Sequence, residues 1–342
     1  MSKGSPQRQT QALLKVCLAA LCVWGVLALH TIATGPGGPA MAKEVESPLL
    51  TDFERQRGNI SSIRFTLVDD SFTLTRRRNG WVIPEAGDFP VSPDRLGALM
   101  IGLASLKRGD PRTSDPEKLA LLGLGDPNLG GNGVRLDLIG ADDGTTTSFI
   151  LGRRPTGLYA RSPDRSQAFR LKGDLPSFYT RRSWLDVDFL TIAPDALEAV
   201  RLYDGDGRTA YFRREAGDPP DAYRPAPPHM SDQVRNRFAL SETALAISGV
   251  SFLDARPAGD LVTEPVARHI SETFDDLEIE LQAHREPDGL WVTLHAREAG
   301  DGARRAAFLN ARATGWAFRV SSLDFNALTP TVSDLVNRPA TP

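Results

Sequence analysis

From residue 60 onward, short runs that alternate apolar and polar residues recur in pairs, separated by acidic or glycine-bearing turns. Period-two alternation puts every second side chain on one face, so each run is a half-buried strand, and two runs joined by a tight turn make an antiparallel hairpin. Ile63, Phe65 and Leu67 precede Asp69-Asp70, Phe72 and Leu74 follow it, and Asn79-Gly80, a type I′ signal, precedes Trp81 and Ile83. With two-residue turns this spacing predicts a three-stranded meander. Leu67 faces Phe72, Phe65 faces Leu74 and Ile83 faces Arg76, with Ile63, Phe65, Leu67, Phe72, Leu74, Trp81 and Ile83 on one face. Arg76-Arg77-Arg78 then read as solvated strand charges. Further hairpins are expected at 134–139/147–151 around "ADDG", 198–203/209–214 around "DGDG" and 277–285/290–297 around "EPDG". Tyr159 and Phe169 mark two more strands, and "WAFRV" the last. In the third hairpin a four-residue loop, Glu286–Gly289, pairs Arg285 with Leu290, Ala283 with Val292 and Leu281 with Leu294. Glu280 then lies opposite His295, and Glu278 opposite Arg297.

Helical spacing interrupts these runs. Ser92, Pro93 and Asp94 form a start signal before Leu96, Leu99, Met100, Leu103 and Leu106, with Gly109 as the stop. Ser114 and Glu117 suit a capping box, with Gly123 ending that short helix. Residues 174–186 read as helical, Ser231 as the cap of a helix ending near Gly249, and 322–336 as a last helix started or kinked by Pro330. The spacing has no fixed period, which argues against a solenoid. The expected class is α+β, built of repeated β-hairpin or meander-plus-helix units, in subdomains 59–190 and 191–342.

The N-terminus adds a membrane element. Leu13–Ala33 is an apolar run carrying only Lys15, long enough to cross a bilayer as a helix. Lys3, Arg8 and Lys15 precede or open it, and no acid occurs before Glu44, so the positive-inside rule keeps the N-terminus cytoplasmic. This gives a cytoplasmic tail 1–12, a transmembrane helix 13–34 in contact with the bilayer, and a linker 35–58 opened by "GPGGP". Ala40-Met41-Ala42 offers a rival reading, a leader cleaved after Ala42. The apolar run exceeds an ordinary leader's, which favours an uncut anchor. Either way the body lies outside the cytoplasm.

Composition narrows the chemistry. Beyond Ala42 there are 37 basic and 43 acidic residues, net −6, which gives no general attraction to nucleic acid. The body has no cysteine, since Cys17 and Cys22 both sit in the apolar run, so thiolate metal sites and Cys nucleophiles are excluded there. His284 and His295 lack a third ligand. His269 and Glu272 in "VARHISETFDD", near Asp275 and Asp276, read as a polar helix face, and His229 stands alone in a Pro-rich loop. "DGDG" (204–207) lacks the third acid of a calcium loop and reads as a turn. "GLGDPNLGGNG" (123–133) is neither a dinucleotide fingerprint nor a P-loop, and no Gly-x-Ser-x-Gly elbow is present. No catalytic, cofactor-binding or metal residue is assigned.

The order of segments resembles a known family. "GWVIPEAGDFPVSPDRLGALMIGLASLK", "DPRTSDPEKLALLGLGDP", "FILGRRPTGLYARSPDRSQAFRL", "SWLDVDFLTI" and "GWAFRVSSLDFNAL" are similar to segments of the bacterial domain of unknown function 4340. The resemblance implies a single-pass inner-membrane protein with a periplasmic body, associated with gliding-motility-type ABC transporters. It carries over no catalytic residue. The expected role is a non-catalytic accessory or scaffold subunit of such a transporter or envelope complex. A ligand-binding envelope sensor, or an envelope hydrolase, is the alternative.

Overall fold

The computed structural model describes residues 47–338 apart from 52, 142–143 and 299–301. The expected tail 1–12, membrane helix 13–34 and most of the linker lie outside the described residues. Within them, no helix is long and apolar enough to cross a membrane. Mixed helices and antiparallel sheets make the body α+β, as the alternation predicts.

The first sheet is built from β1 (Ile60–Thr66), β2 (Ser71–Arg77), β3 (Gly80–Ile83), β4 (Lys107–Pro111), β5 (Val134–Gly140), β6 (Thr146–Arg154), β7 (Gly157–Arg161) and β8 (Phe169–Lys172). Their order is β4-β8-β7-β6-β5-β1-β2-β3, with Phe89–Pro90 beside β3. The second is built from β9 (Leu197–Tyr203), β10 (Thr209–Arg213), β11 (Asp254–Pro257), β12 (Ala267–Thr273), β13 (Leu277–Glu286), β14 (Gly289–Glu298) and β15 (Trp316–Arg319). From the short strand Arg224–Pro225 its order is β10-β9-β12-β13-β14-β15-β11. Every strand of the first sheet precedes residue 173 and every strand of the second follows residue 196, so residue 190 falls in the strand-free stretch between them. One apolar core still runs from Leu49 to Leu328. Phe89 and Phe318 meet edge-on at 5.9 Å, and Phe318 stacks on Phe252 at 4.5 Å, joining the sheets through aromatic contacts.

The β13–β14 register is the expected one, with Glu280 opposite His295, Leu281 opposite Leu294 and Arg285 opposite Leu290. The meander differs. Phe65 pairs with Phe72 and Ile63 with Leu74, because residues 67–70 form the turn, closed by the Leu67 N–H donating to the Asp70 carbonyl at 2.8 Å. Arg76, expected opposite Ile83, pairs with Trp81, since Arg78-Asn79 make the next turn. Both shifts are by two residues, and an even slip leaves every side chain on its face. Ile63, Phe65, Phe72, Leu74 and Ile83 are therefore fully buried as expected, while Leu67 and Trp81 are half-buried.

Several helical expectations are corrected. Helix α1 (Pro93–Ser105) ends before Gly109, which lies in β4. Residues 174–186 are not a helix. Only a 3-10 turn, Arg181–Trp184, forms, because Leu175, Phe178, Trp184 and Leu185 anchor the segment at irregular intervals around Pro176. Helix α2 (Arg237–Gly249) starts at Asn236, whose side chain accepts from the Ala239 N–H at 3.0 Å, and not at Ser231. Between them Gln233–Val234 pairs with Val336–Asn337. Residues 267–273 form strand β12, where the three-residue spacing of His269 and Glu272 had suggested a helix face. The helix α3 (Ala303–Ala313) packs on β14, and α4 (Ser322–Leu328) ends before Pro330, with one further turn at Val332–Leu335. Gly123 does stop its short helix, at φ +71°, though Asp115 and not Ser114 caps it.

Candidate functional site

The histidines do not converge. His284 and His295 share a face of the β13–β14 hairpin, but His295 pairs with Glu280, four residues from His284 and roughly 13 Å along the strand. His284 Nδ1 lies 2.9 Å from the Thr263 carbonyl. His269, 1% exposed, reaches the Ser271 hydroxyl at 3.1 Å through Nε2. Burial pushes its pKa down to about 4, with the Leu328 carbonyl opposing the shift. Glu272, an odd number of positions away on the strand, points to the opposite face, where it accepts from Arg201 at 2.7 Å and from the Tyr211 hydroxyl at 3.1 Å. Burial, then Glu272, raises the Tyr211 pKa. Asp275 is held by Arg305 at 2.7 Å, and His229 Nε2 lies 3.0 Å from the Thr209 hydroxyl. Among the described residues no group of three His, Cys, Asp or Glu is placed to hold a metal.

The buried carboxylates hold the fold. Asp204, in the "DGDG" turn, accepts from the N–H groups of Asp206, Arg208 and Val332, tying the β9–β10 hairpin to the last helical turn. Glu280 accepts from Gln282 at 2.8 Å and Arg297 at 3.2 Å. Asp232 takes a bidentate contact from Arg338, and Asp137 is held by Arg135 and Ser148. Glu286 accepts from the Thr263 hydroxyl and from the N–H groups of Val262 and Thr263, and it is ion-paired at 3.1 Å with Arg256, whose guanidinium lies 4.1 Å over the Trp291 ring. Those donors, the Thr263 hydroxyl foremost, hold the Glu286 pKa down at about 2 against the cost of burial.

Basic side chains from several strands gather at the other sheet. A cleft of about 640 Å³ opens where the β6–β7 turn meets β4 and β8, lined by Arg153, Arg154, Arg170, Lys172, Asp110 and Asp174 among others. Its walls are fixed. Arg153 donates to Asp174 at 2.7 Å and to the Leu175 carbonyl at 2.5 Å, and its own N–H donates to the Tyr179 hydroxyl at 2.8 Å. Arg154 donates to the carbonyls of Leu121 and Ala120, both at 3.1 Å, and so caps the 3-10 turn stopped by Gly123. The Asp174 pKa is lowered, chiefly by its hydrogen bond from Arg153. Arg170 is exposed and has no side-chain partner among the described residues. Its space comes from Gly157, at φ +139°, where a Cβ would stand 3.1 Å from Arg170 Nε. A second cleft, of about 530 Å³, lies along the same strands and is lined by Arg108, Phe149, Arg161, Arg165 and Phe169. Sequence reasoning assigned none of these arginines to a site, because the cleft takes them from separate strands. The available signal was the pair "GRRPTG" and "FRLKG", a basic hairpin end and a period-two basic strand.

These features define an α+β body of antiparallel sheets, its buried acids held by its own donors, with an arginine-lined cleft at one sheet. The family model described as Domain of unknown function (DUF4340) matches residues 81–265, and the chain belongs to that family. No curated protein and no solved structure matches the chain.

Proposed function

We propose that this protein is a membrane-anchored accessory or scaffold subunit of an ABC-type transporter or envelope complex, with its body outside the cytoplasm and no chemistry of its own. The observation that carries the non-catalytic reading is the state of the buried acids. Asp137, Asp204, Asp232, Glu280 and Glu286 are each held by internal donors, in positions that tie hairpins and loops together. A general acid or base needs a carboxyl group facing a substrate at a tuned pKa, and a buried carboxylate committed to internal donors is ill suited to that work. The apolar run 13–34, preceded only by basic charge, supports the tether and its direction. Family membership supports the transporter setting through the association that the sequence resemblance implies. The test is affinity purification of the full chain from membranes in mild detergent, with transporter subunits expected in the eluate. Isolation as a lone chain would count against the proposal. The arginine-lined cleft favours a second reading, an envelope sensor that binds a small ligand.

A further inference from the structure

We propose that the cleft beside β8 binds a small polyhydroxylated anion, of the sugar-phosphate or uronate class. This ligand site is separate from the tethered-subunit role and does not depend on it. The cleft's volume of about 640 Å³ lies within the range of small-molecule sites. Its three arginines, Arg153, Arg154 and Arg170, outnumber its two carboxylates, so a locally positive concavity sits on a body whose net charge is −6. Three observations turn this charge into a site. Arg153 and Arg154 are locked by carbonyls and Asp174, so their wall is already in place before a ligand arrives. Arg170 projects from the sheet with its guanidinium uncommitted, in room that glycine at 157 provides, and a guanidinium offers a forked pair of donors to a phosphate or carboxylate.

Asp110 and Asp174 supply the selectivity. Asp174 gives one oxygen, Oδ1, to Arg153, and Asp110 stands 3.7 Å from Arg112, too long for a hydrogen bond, so both keep acceptor capacity facing the cleft. A bare inorganic anion such as sulfate, which carries no hydroxyl at neutral pH, is repelled by both carboxylates. An anion carrying hydroxyl groups satisfies them, placing its charge on Arg170 and donating its O–H groups to Asp110 and Asp174.

The experiment is calorimetric titration of the full chain in mild detergent with glucose 6-phosphate, glucuronate, glucose and sulfate. At least one sugar anion is expected to bind more tightly than either glucose or sulfate, and which one binds identifies the anionic group. Arg170→Ala, at an exposed position that the fold does not rely on, should weaken that binding by about tenfold, the loss of one charge-assisted contact. Asp110→Asn should weaken the sugar anion without weakening sulfate. Arg78→Ala, an exposed arginine remote from the cleft lining, should bind as the parent does. The proposal is overturned if neither sugar anion binds, if R170A binds them as the parent does, or if sulfate binds equally well.

Discussion

Acidification from pH 7.5 to pH 5 should cost this fold about 2 kcal/mol through a single side chain, His269. The ring lies on β12, 1% exposed, between Leu202 on β9 and Leu281 on β13 in the two strand registers. An imidazolium there has no carboxylate to pair with, so burial lowers the pKa from 6.5 to about 4. The unfolded chain therefore binds a proton at higher pH than the folded chain. A depressed folded pKa means that stability is fully present above pH 6.5 and is lost as pH falls through the window down to about 4. Integrating between those values gives a loss of about 2 kcal/mol at pH 5 and about 3 kcal/mol at pH 4. The assay is urea unfolding of the full chain in mild detergent, followed by tryptophan fluorescence at pH 7.5, 6.5, 5.5 and 5. At an m-value of about 2–3 kcal/mol/M, the midpoint should fall by roughly 0.7–1 M across the series. His269→Leu should flatten the series, whatever it does to stability at pH 7.5. A wild-type midpoint that does not move, or a His269→Leu variant that keeps the wild-type slope, would refute the reasoning.

Two further predictions concern stability. Glu286 should give the fold a separate acid limb. Its depressed pKa contributes stability above pH 4.5 that is lost as pH falls toward 2, so Glu286→Gln should lower the midpoint at neutral pH and blunt that limb. Gly102→Ala should destabilise by about 1–3 kcal/mol, read as a lower melting temperature, because the added Cβ would stand 2.6 Å from the Asp174 carbonyl oxygen, a backbone atom of the segment against which α1 packs. The same change at Gly97, which has open space around it, should be neutral or stabilising.

The parts of the fold legible in the sequence were those set by local chemistry. The β13–β14 register followed from alternation and one turn, because Ile279, Leu281 and Val292 must all face the core. The meander's faces followed too, although its turns were misplaced, since a slip of two cannot be seen in an alternating pattern. What failed depended on distant contacts. Residues 174–186 carry enough apolar side chains to suggest a helix, yet Phe178 and Trp184 are pinned individually, Trp184 against Phe65 at 5.0 Å. His269, Ser271 and Thr273 are polar and buried, so β12 offered no apolar alternation to read. The cleft was invisible for a related reason. Strands β4 and β8 are 58 residues apart at their closest, and no local pattern announces that Asp110 and Arg170 will line one concavity.

The central claim is that this chain works as a tethered member of a membrane complex. Its most direct test is mild-detergent extraction of the tagged full chain from its native membrane, followed by mass spectrometry of whatever co-purifies and of the chain's own N-terminus. The account predicts transporter membrane subunits in stoichiometric amounts and a chain still carrying residues 13–34. A chain that begins at Lys43 and elutes alone would contradict it.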